Sequence, residues 1–262
     1  MSSFLSPARI LPLFLTALLV LAAPGCDDDP KKTCTGDVCP CTGDGVFFPE
    51  FGCLSTGFTE NDRDYDWYLT QMGTGPAEGS NCGPTSTAMA LRWHDEAQTV
   101  PVATIRETIT PGDTGWWYTS DIEQALTTWN TPFRVLHAPD ETVVLDALDR
   151  GSVLLLCITM DRITRAAAPR DTHFDRFYDY NSGHFLIVLG HLDDGEWLIV
   201  HDPNNWHDDY YDDARLNPMG RARYYRTSEV LASMRVWWPY FFEIGISDGK
   251  STRHIPVGRS GP

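Results

Sequence analysis

Positive charge is scarce in this 262-residue sequence. It has 20 Lys and Arg residues against 36 Asp and Glu residues, which gives a formal net charge of −16. A surface of this sign repels phosphate backbones and argues against nucleic acid as a partner. Apolar residues, in contrast, are not scarce: 42% of the chain is hydrophobic, which excludes an intrinsically disordered protein.

A long apolar run is also missing from the start of the chain. The run over residues 10–23 follows Arg9 and spans ~21 Å as a helix, short of the ~30 Å of a bilayer core. We therefore predict a signal peptide over residues 1–25. Small residues precede Cys26, as in a bacterial lipobox, so we expect Cys26 to be acylated and to anchor an exported protein to a membrane of the cell envelope. Plain secretion and an apolar N-terminal helix are the alternatives.

Cysteines cluster just after this segment. Besides Cys26, the chain has four within a short polar stretch, namely Cys34, Cys39, Cys41 and Cys53. In an exported chain they predict two disulfide bonds whose pairing stays open. A zinc site is the alternative, but the spacing fits common zinc motifs poorly. We expect neither a metal nor a cofactor.

The rest of the chain predicts one globular domain. Residues 26–57 are interpreted as a polar tether with a small disulfide-rich segment, 58–246 as the domain and 247–262 as a flexible tail. Helices are predicted over residues 84–94, 102–110, 120–130 (with Ser120 as N-cap), 141–150 and 228–236, and strands over 133–137, 153–159, 184–191, 196–202 and 240–244. Because most helices precede the strands, the predicted fold class is α+β.

Two cysteines fall inside this domain. Cys157 lies in an apolar run with strand character, where we expect a buried, inert thiol. Cys82 lies at a loop-to-helix junction, and Pro84 fits the first helical turn. A helix N-terminus favours the reactive thiolate and supplies backbone donors for an oxyanion. A small buried cysteine at a helix start is the alternative.

Cysteine catalysis also needs an imidazole and a group that orients it. His184 opens a strand, and the turn at residues 193–195 leads into a second strand that ends at Asp202, because Pro203 follows it. A hairpin turn centred on Asp193 would place His184 opposite Asp202. Alternatives are a strand-end histidine bonded to backbone, or a metal site that combines Asp202 with His191 and His201.

Together these motifs resemble the bacteriocin-processing (double-glycine) peptidase-like branch of the papain-like superfamily. The resemblance covers residues 62–245, and the motifs that carry it are Cys82-Gly-Pro-Thr-Ser, Gly183-His184-Phe-Leu-Ile-Val-Leu-Gly190 and Asp202-Pro203. It implies a papain-like fold with N-terminal helices packed on an antiparallel sheet.

The resemblance also implies residue roles. Cys82 would be the nucleophile, His184 the general base and acid, and Asp202 the residue that orients His184. An oxyanion-hole glutamine is implied before the cysteine, and Gln71 is the only glutamine upstream. Gln71 lies eleven positions before Cys82, more than is usual in papain-like enzymes, so the residues between them must loop out.

The expected function is hydrolysis of peptide or amide bonds in a peptide or protein substrate. Transporter-linked members of this branch carry membrane spans and an ATPase, which this chain lacks, so we expect a stand-alone peptidase or amidase. A non-catalytic envelope binding module and a papain-like acyltransferase are the alternatives. We also expect aromatic residues either to line a cleft or to pack in the core; they are Trp116, Trp117, Tyr118, Trp206, Tyr210 and Tyr211. The sequence leaves the oligomeric state open.

Overall fold

The computed structural model describes residues 46–48, 50–205 and 218–245. The signal peptide, the acylation of Cys26 and the flexible tail therefore lie outside the described residues and stay predictions. So do three of the clustered cysteines and three of the aromatic residues, namely Cys34, Cys39, Cys41, Trp206, Tyr210 and Tyr211.

The described residues form helices and strands in the predicted order. The helices are α1 (Cys82–His94), α2 (Val102–Ile109), α3 (Thr119–Thr128), α4 (Glu141–Asp149) and α5 (Thr227–Trp237). The strands are β1 (Val46–Phe48), β2 (Gly52–Leu54), β3 (Thr59–Glu60), β4 (Phe133–His137), β5 (Val153–Thr159), β6 (Gly183–Leu192), β7 (Trp197–His201), β8 (Arg223–Arg226) and β9 (Tyr240–Ile244). Within these ranges no helix is long and apolar enough to cross a bilayer.

The main sheet is antiparallel, with the strand order β4-β9-β5-β6-β7-β8 and with β3 paired to β6. On one face α1 contacts the sheet, and α2 and α3 pack against α1. On the other face lie α4 and α5. The predicted α+β fold, with N-terminal helices on an antiparallel sheet, is confirmed.

Helices on both faces explain the composition of the central strand β5. Its seven residues are all buried, because alternate side chains enter the two cores. Leu155 packs with the α1 side and Leu156 with the α4 and α5 side. A strand covered on both faces therefore reads as a continuous apolar run rather than an alternating pattern.

Helix ends differ from prediction by up to two residues. The helix α1 begins at Cys82, so the cysteine is its first residue, two positions before the predicted start at Pro84. The assignment of Ser120 as N-cap of α3 is wrong, because α3 begins at Thr119. The carboxylate of Asp121 accepts the N–H of Tyr118 at 2.7 Å, which fixes the helix start one residue earlier.

Four strands were not predicted, namely β1, β2, β3 and β8. Strand β8 closes the sheet beyond β7, and β1 and β2 form a hairpin near the end of the predicted tether. This hairpin packs on the domain, since Phe48 is buried with its ring centroid 5.2 Å from that of Phe58. Cys53, in β2, is disulfide-bonded.

The predicted register of the β6–β7 hairpin is wrong by two residues. Ile187 pairs with His201, and the register shifts between Val188 and Gly190. Extending this pairing places Asp202 opposite Leu186, diagonally across from His184. Diagonal neighbours on one face of a sheet remain within reach of long side chains.

Candidate active site

A close approach between α1 and β6 positions Cys82. A Cβ atom on Gly83 would lie 3.0 Å from Cβ of Trp117 and 3.3 Å from the ring of Phe185. Glycine after the cysteine therefore lets the start of α1 pack against β6, one residue from His184. Cys82 is a free cysteine with 3% of its surface exposed.

The predicted contact between His184 and Asp202 is present. Nε2 of His184 lies 2.7 Å from Oδ1 of Asp202, and their side chains are 1% and 0% exposed. Because Nε2 is occupied, Nδ1 is the ring nitrogen left for the Cys82 thiol, with which His184 shares side-chain hydrogen bonding. Cys82 and His184 line the same cleft.

Asp202 is held on both carboxylate oxygens. Oδ1 also accepts the backbone N–H of Asn204 at 2.9 Å. Oδ2 accepts the hydroxyls of Tyr178 at 2.8 Å and of Tyr225 at 2.7 Å. Four donors thus surround a fully buried carboxylate, which keeps its charge without solvent.

This environment sets the charges of the pair. Burial lowers the pKa of His184, but the charge of Asp202 and the hydrogen bonds with Asp202 and Cys82 outweigh burial and raise that pKa to about 10. Burial raises the pKa of Asp202, but the charge of His184 and the hydrogen bonds from His184, Asn204 and Tyr225 outweigh burial and hold that pKa below its ordinary value. At neutral pH the pair is therefore an imidazolium next to a carboxylate.

Gln71 reaches the cleft in spite of its distance in sequence. Its backbone N–H donates to the carbonyl of Pro203 at 2.8 Å, and its side-chain Nε2 donates to the carbonyl of Glu78 at 2.9 Å. The side-chain amide nitrogen of Gln71 carries two N–H groups, so one N–H remains as a hydrogen-bond donor.

The residues between Gln71 and Cys82 form a loop with its own hydrogen bonds. The carboxylate of Glu78 accepts the N–H of Gly73 at 2.7 Å, and Nδ2 of Asn81 donates to Oγ1 of Thr74 at 2.7 Å. The extra length is taken up in this loop, as predicted, and Gln71 and Cys82 line the same cleft.

The N-terminus of α1 has no side-chain cap. Asn81, in the N-cap position, instead bonds Thr74 and the guanidinium of Arg106. The N–H groups of the first turn, including that of Cys82, therefore have no capping side chain and are available to an oxyanion.

Arg106, which was not among the predicted site residues, is a buried cation beside this helix start. It donates to the carbonyl of Ser80 at 2.9 Å and to those of Asp113 and Gly115 at 3.1 Å each. With Asn81, these bonds tie together the two loops that flank the cleft. No local sequence motif signals such contacts, because they join segments that are far apart in the chain.

The cleft itself has a volume of about 260 Å³. Its lining residues are Gln71, Gly79, Cys82, Trp116, Tyr178, Asp179, Tyr180, His184 and Asn204. The structure therefore brings three of the four predicted site residues into one cleft and places Asp202 directly behind His184.

His191 and His201 lie apart from this cleft. Nε2 of His191 is 2.9 Å from Oδ1 of Asp149. His201 is buried, with its ring centroid 4.2 Å from that of Trp67. In the described part of the chain, no three His, Cys, Asp or Glu side chains are grouped so that they could hold a metal, and the alternative of a site from His191, His201 and Asp202 is not supported.

Cys157 is buried as expected. It is a free cysteine, 3% exposed, and it pairs with Phe185 across β5 and β6. Burial raises the pKa of its thiol far above the ordinary value. Cys157 is therefore protonated at neutral pH and offers an internal comparison for Cys82.

An antiparallel sheet between helical layers, with a cysteine heading the first long helix and a histidine at the edge of the cleft, is the architecture of papain-like cysteine peptidases. Within that class the chain belongs to the Peptidase_C39-like family, whose model matches residues 66–231.

Comparison with solved structures finds a crystal structure described as that of a C39-like peptidase from Bacillus anthracis. It has 12% sequence identity and a TM-score of 0.46, and the match covers 69% of this chain and 94% of that one. No curated protein matches the chain.

Proposed function

We propose that the protein is a thiol hydrolase that cleaves peptide or amide bonds, with Cys82, His184 and Asp202 as its catalytic triad. The observation that carries the proposal is the 2.7 Å contact of His184 with a buried Asp202, at a cleft that also contains a free cysteine. Membership of a peptidase-like family supports the same class of reaction.

The proposed reaction proceeds through an acyl-enzyme. The thiolate of Cys82 attacks the carbonyl carbon, and the oxyanion is stabilised by the Cys82 N–H and by Nε2 of Gln71. The imidazolium of His184 then protonates the leaving amine as the C–N bond breaks. Neutral His184 next takes a proton from water, whose oxygen attacks the thioester, and Cys82 is released as the acid product departs.

We further propose that this hydrolase is exported and held at the cell envelope by a lipid on Cys26. The apolar run over residues 10–23 and the small residues before Cys26 support this part of the proposal. The acidic net charge of −16 is compatible with an exported protein that does not bind nucleic acid.

Cleavage of a broad peptide library, followed by mass spectrometry, tests the proposed reaction. We expect the purified protein to cleave a subset of peptides and Cys82→Ala to cleave none. Cys157→Ala is the matched control, because it removes a second thiol that is free in the described part of the chain and leaves the cleft intact. Equal turnover by the wild type and Cys82→Ala would contradict the proposal, and products that form only with an added amine would indicate an acyltransferase instead.

A further inference from the structure

Two exposed aromatic rings flank the cleft that contains Cys82. Trp116 is 50% exposed and Tyr180 is 38% exposed, and both line the cleft. Their ring centroids are 6.5 Å apart, and the ring planes differ by 21°. Two large apolar side chains thus share the rim of a reactive cleft with their faces nearly parallel.

The loop that carries Trp116 is fixed by hydrogen bonds to its neighbouring residues. Arg106 bonds the carbonyls of Asp113 and Gly115, directly before Trp116. The next residue, Trp117, is buried, and its Nε1 donates to Oγ1 of Thr110 at 3.0 Å. Trp116 is therefore exposed on a well-packed loop rather than on a loose one.

The backbone that carries Tyr180 is held as well. Nη1 of Arg176 donates to the carbonyl of Tyr180 at 2.5 Å. Two residues earlier, Tyr178 is fully buried and bonded to Asp202, with its ring centroid 6.2 Å from that of Tyr180. Tyr180 therefore belongs to the same segment as Tyr178, whose hydroxyl helps to position Asp202 beside His184.

Such fixed, exposed rings suit recognition of another ring. A pre-organised apolar surface loses little conformational freedom when a ligand binds, and aromatic pairs are attractive beyond the area they bury. Asp179, the carboxylate among the cleft-lining residues, is paired with Arg165 at 2.9 Å. The rim therefore presents ring faces rather than an unpaired charge.

We propose that Trp116 and Tyr180 form a specificity subsite that takes an aromatic side chain of a peptide, close to the bond that Cys82 attacks. This inference rests on the proposed function, because it takes the ligand to be a peptide substrate. A peptide is favoured over a glycan because the adjacent groups are a thiol and an imidazole. Hydrolysis of a glycosidic bond instead uses a pair of carboxylates.

Binding to the Cys82→Ala protein tests the subsite without requiring turnover. Matched peptides would carry Phe, cyclohexylalanine, Lys or Ala at the position under test, and a chitooligosaccharide would serve as a glycan probe. We expect the best Phe peptide to bind at least ~10-fold more tightly than its Ala and Lys counterparts in calorimetry, and about 2- to 12-fold more tightly than its cyclohexylalanine counterpart. We expect this advantage to disappear in Trp116→Ala and Tyr180→Ala variants of the same protein.

Tyr118→Ala is the matched control, since Tyr118 is 61% exposed but contacts Trp238 rather than lining the cleft. We expect it to keep the preference for Phe. Equal affinity for the Phe and Ala peptides, a preference that survives both cleft substitutions, or binding of the oligosaccharide in place of peptides would overturn the inference. Selective binding of Phe peptides without cleavage by the wild type would instead refute the thiol hydrolase and leave the subsite standing.

Discussion

Replacing Asp202 with asparagine is expected to lower kcat/KM for a cleaved peptide about 1,000-fold, within the range that general acid–base catalysis contributes. Asparagine keeps the shape of the side chain and removes its charge. Burial is the largest single effect on the pKa of His184 and lowers it, but the hydrogen bonds with Asp202 and Cys82, together with the charge of Asp202, outweigh burial and raise that pKa to about 10. Without the charge of Asp202, burial dominates the pKa of His184 and leaves the imidazole neutral at pH 7. No acid is then present to protonate the leaving amine.

The pH profile separates this cause from a general loss of structure. For the wild type we expect kcat/KM to fall on the alkaline side near pH 10, where His184 loses its proton. For Asp202→Asn the alkaline limb should move below pH 7. Tyr225→Phe is the matched control, because it removes one hydrogen bond to Asp202 and keeps the carboxylate charge. An alkaline limb that stays near pH 10 in Asp202→Asn would show that Asp202 does not set the proton affinity of His184.

Acidification is expected to destabilise the native protein through His201. Burial lowers the pKa of His201 to about 4, in spite of the nearby carboxylate of Asp62, whereas in the unfolded chain the pKa returns to 6.5. As the pH falls from 6.5 to 4, the unfolded chain therefore binds a proton that the native state does not bind. This linkage lowers the free energy of unfolding by about 2 kcal/mol between pH 7 and pH 5.

Urea unfolding at the two pH values tests this prediction. His201→Asn retains an acceptor for the N–H of Ala222, which Nδ1 of His201 accepts at 3.2 Å, and removes the titrating ring. We expect this variant to lose about 2 kcal/mol less than the wild type between pH 7 and pH 5. His137→Asn, at an exposed position in β4, should behave as the wild type does. The same pH dependence in His201→Asn and the wild type would assign the effect to other groups.

Much of the fold could be predicted because its determinants are local. The apolar run of β5 and the Pro84 that follows Cys82 each act over a few residues, and the elements they predict are present. The β6–β7 register was wrong for a local reason as well. Leu192 pairs with Trp197, so the turn is centred between Asp194 and Gly195 rather than on Asp193, and the irregularity between Val188 and Gly190 moves the pairing back by one residue.

The sequence was enough to predict the three proposed triad residues but not the hydroxyl groups that surround the carboxylate. Cys82, His184 and Asp202 each lie within one residue of the end of an element, where turn and helix-start residues give a sequence signal. Tyr178 and Tyr225 were missed because their hydroxyls reach Asp202 from a loop and from the unpredicted strand β8. Buried tyrosines have no sequence pattern that distinguishes a hydrogen-bonded hydroxyl from ordinary core packing.

The central claim is that His184 activates Cys82, and alkylation of the two cysteines that are free among the described residues tests it most directly. Iodoacetamide labelling at pH 6, read by peptide mass spectrometry, compares Cys82 with Cys157 in one sample of the native protein. We predict that Cys82 reacts at least ~100-fold faster than Cys157 and that His184→Ala removes most of this difference. Similar labelling rates for the two cysteines, or fast labelling of Cys82 that persists in His184→Ala, would contradict the account.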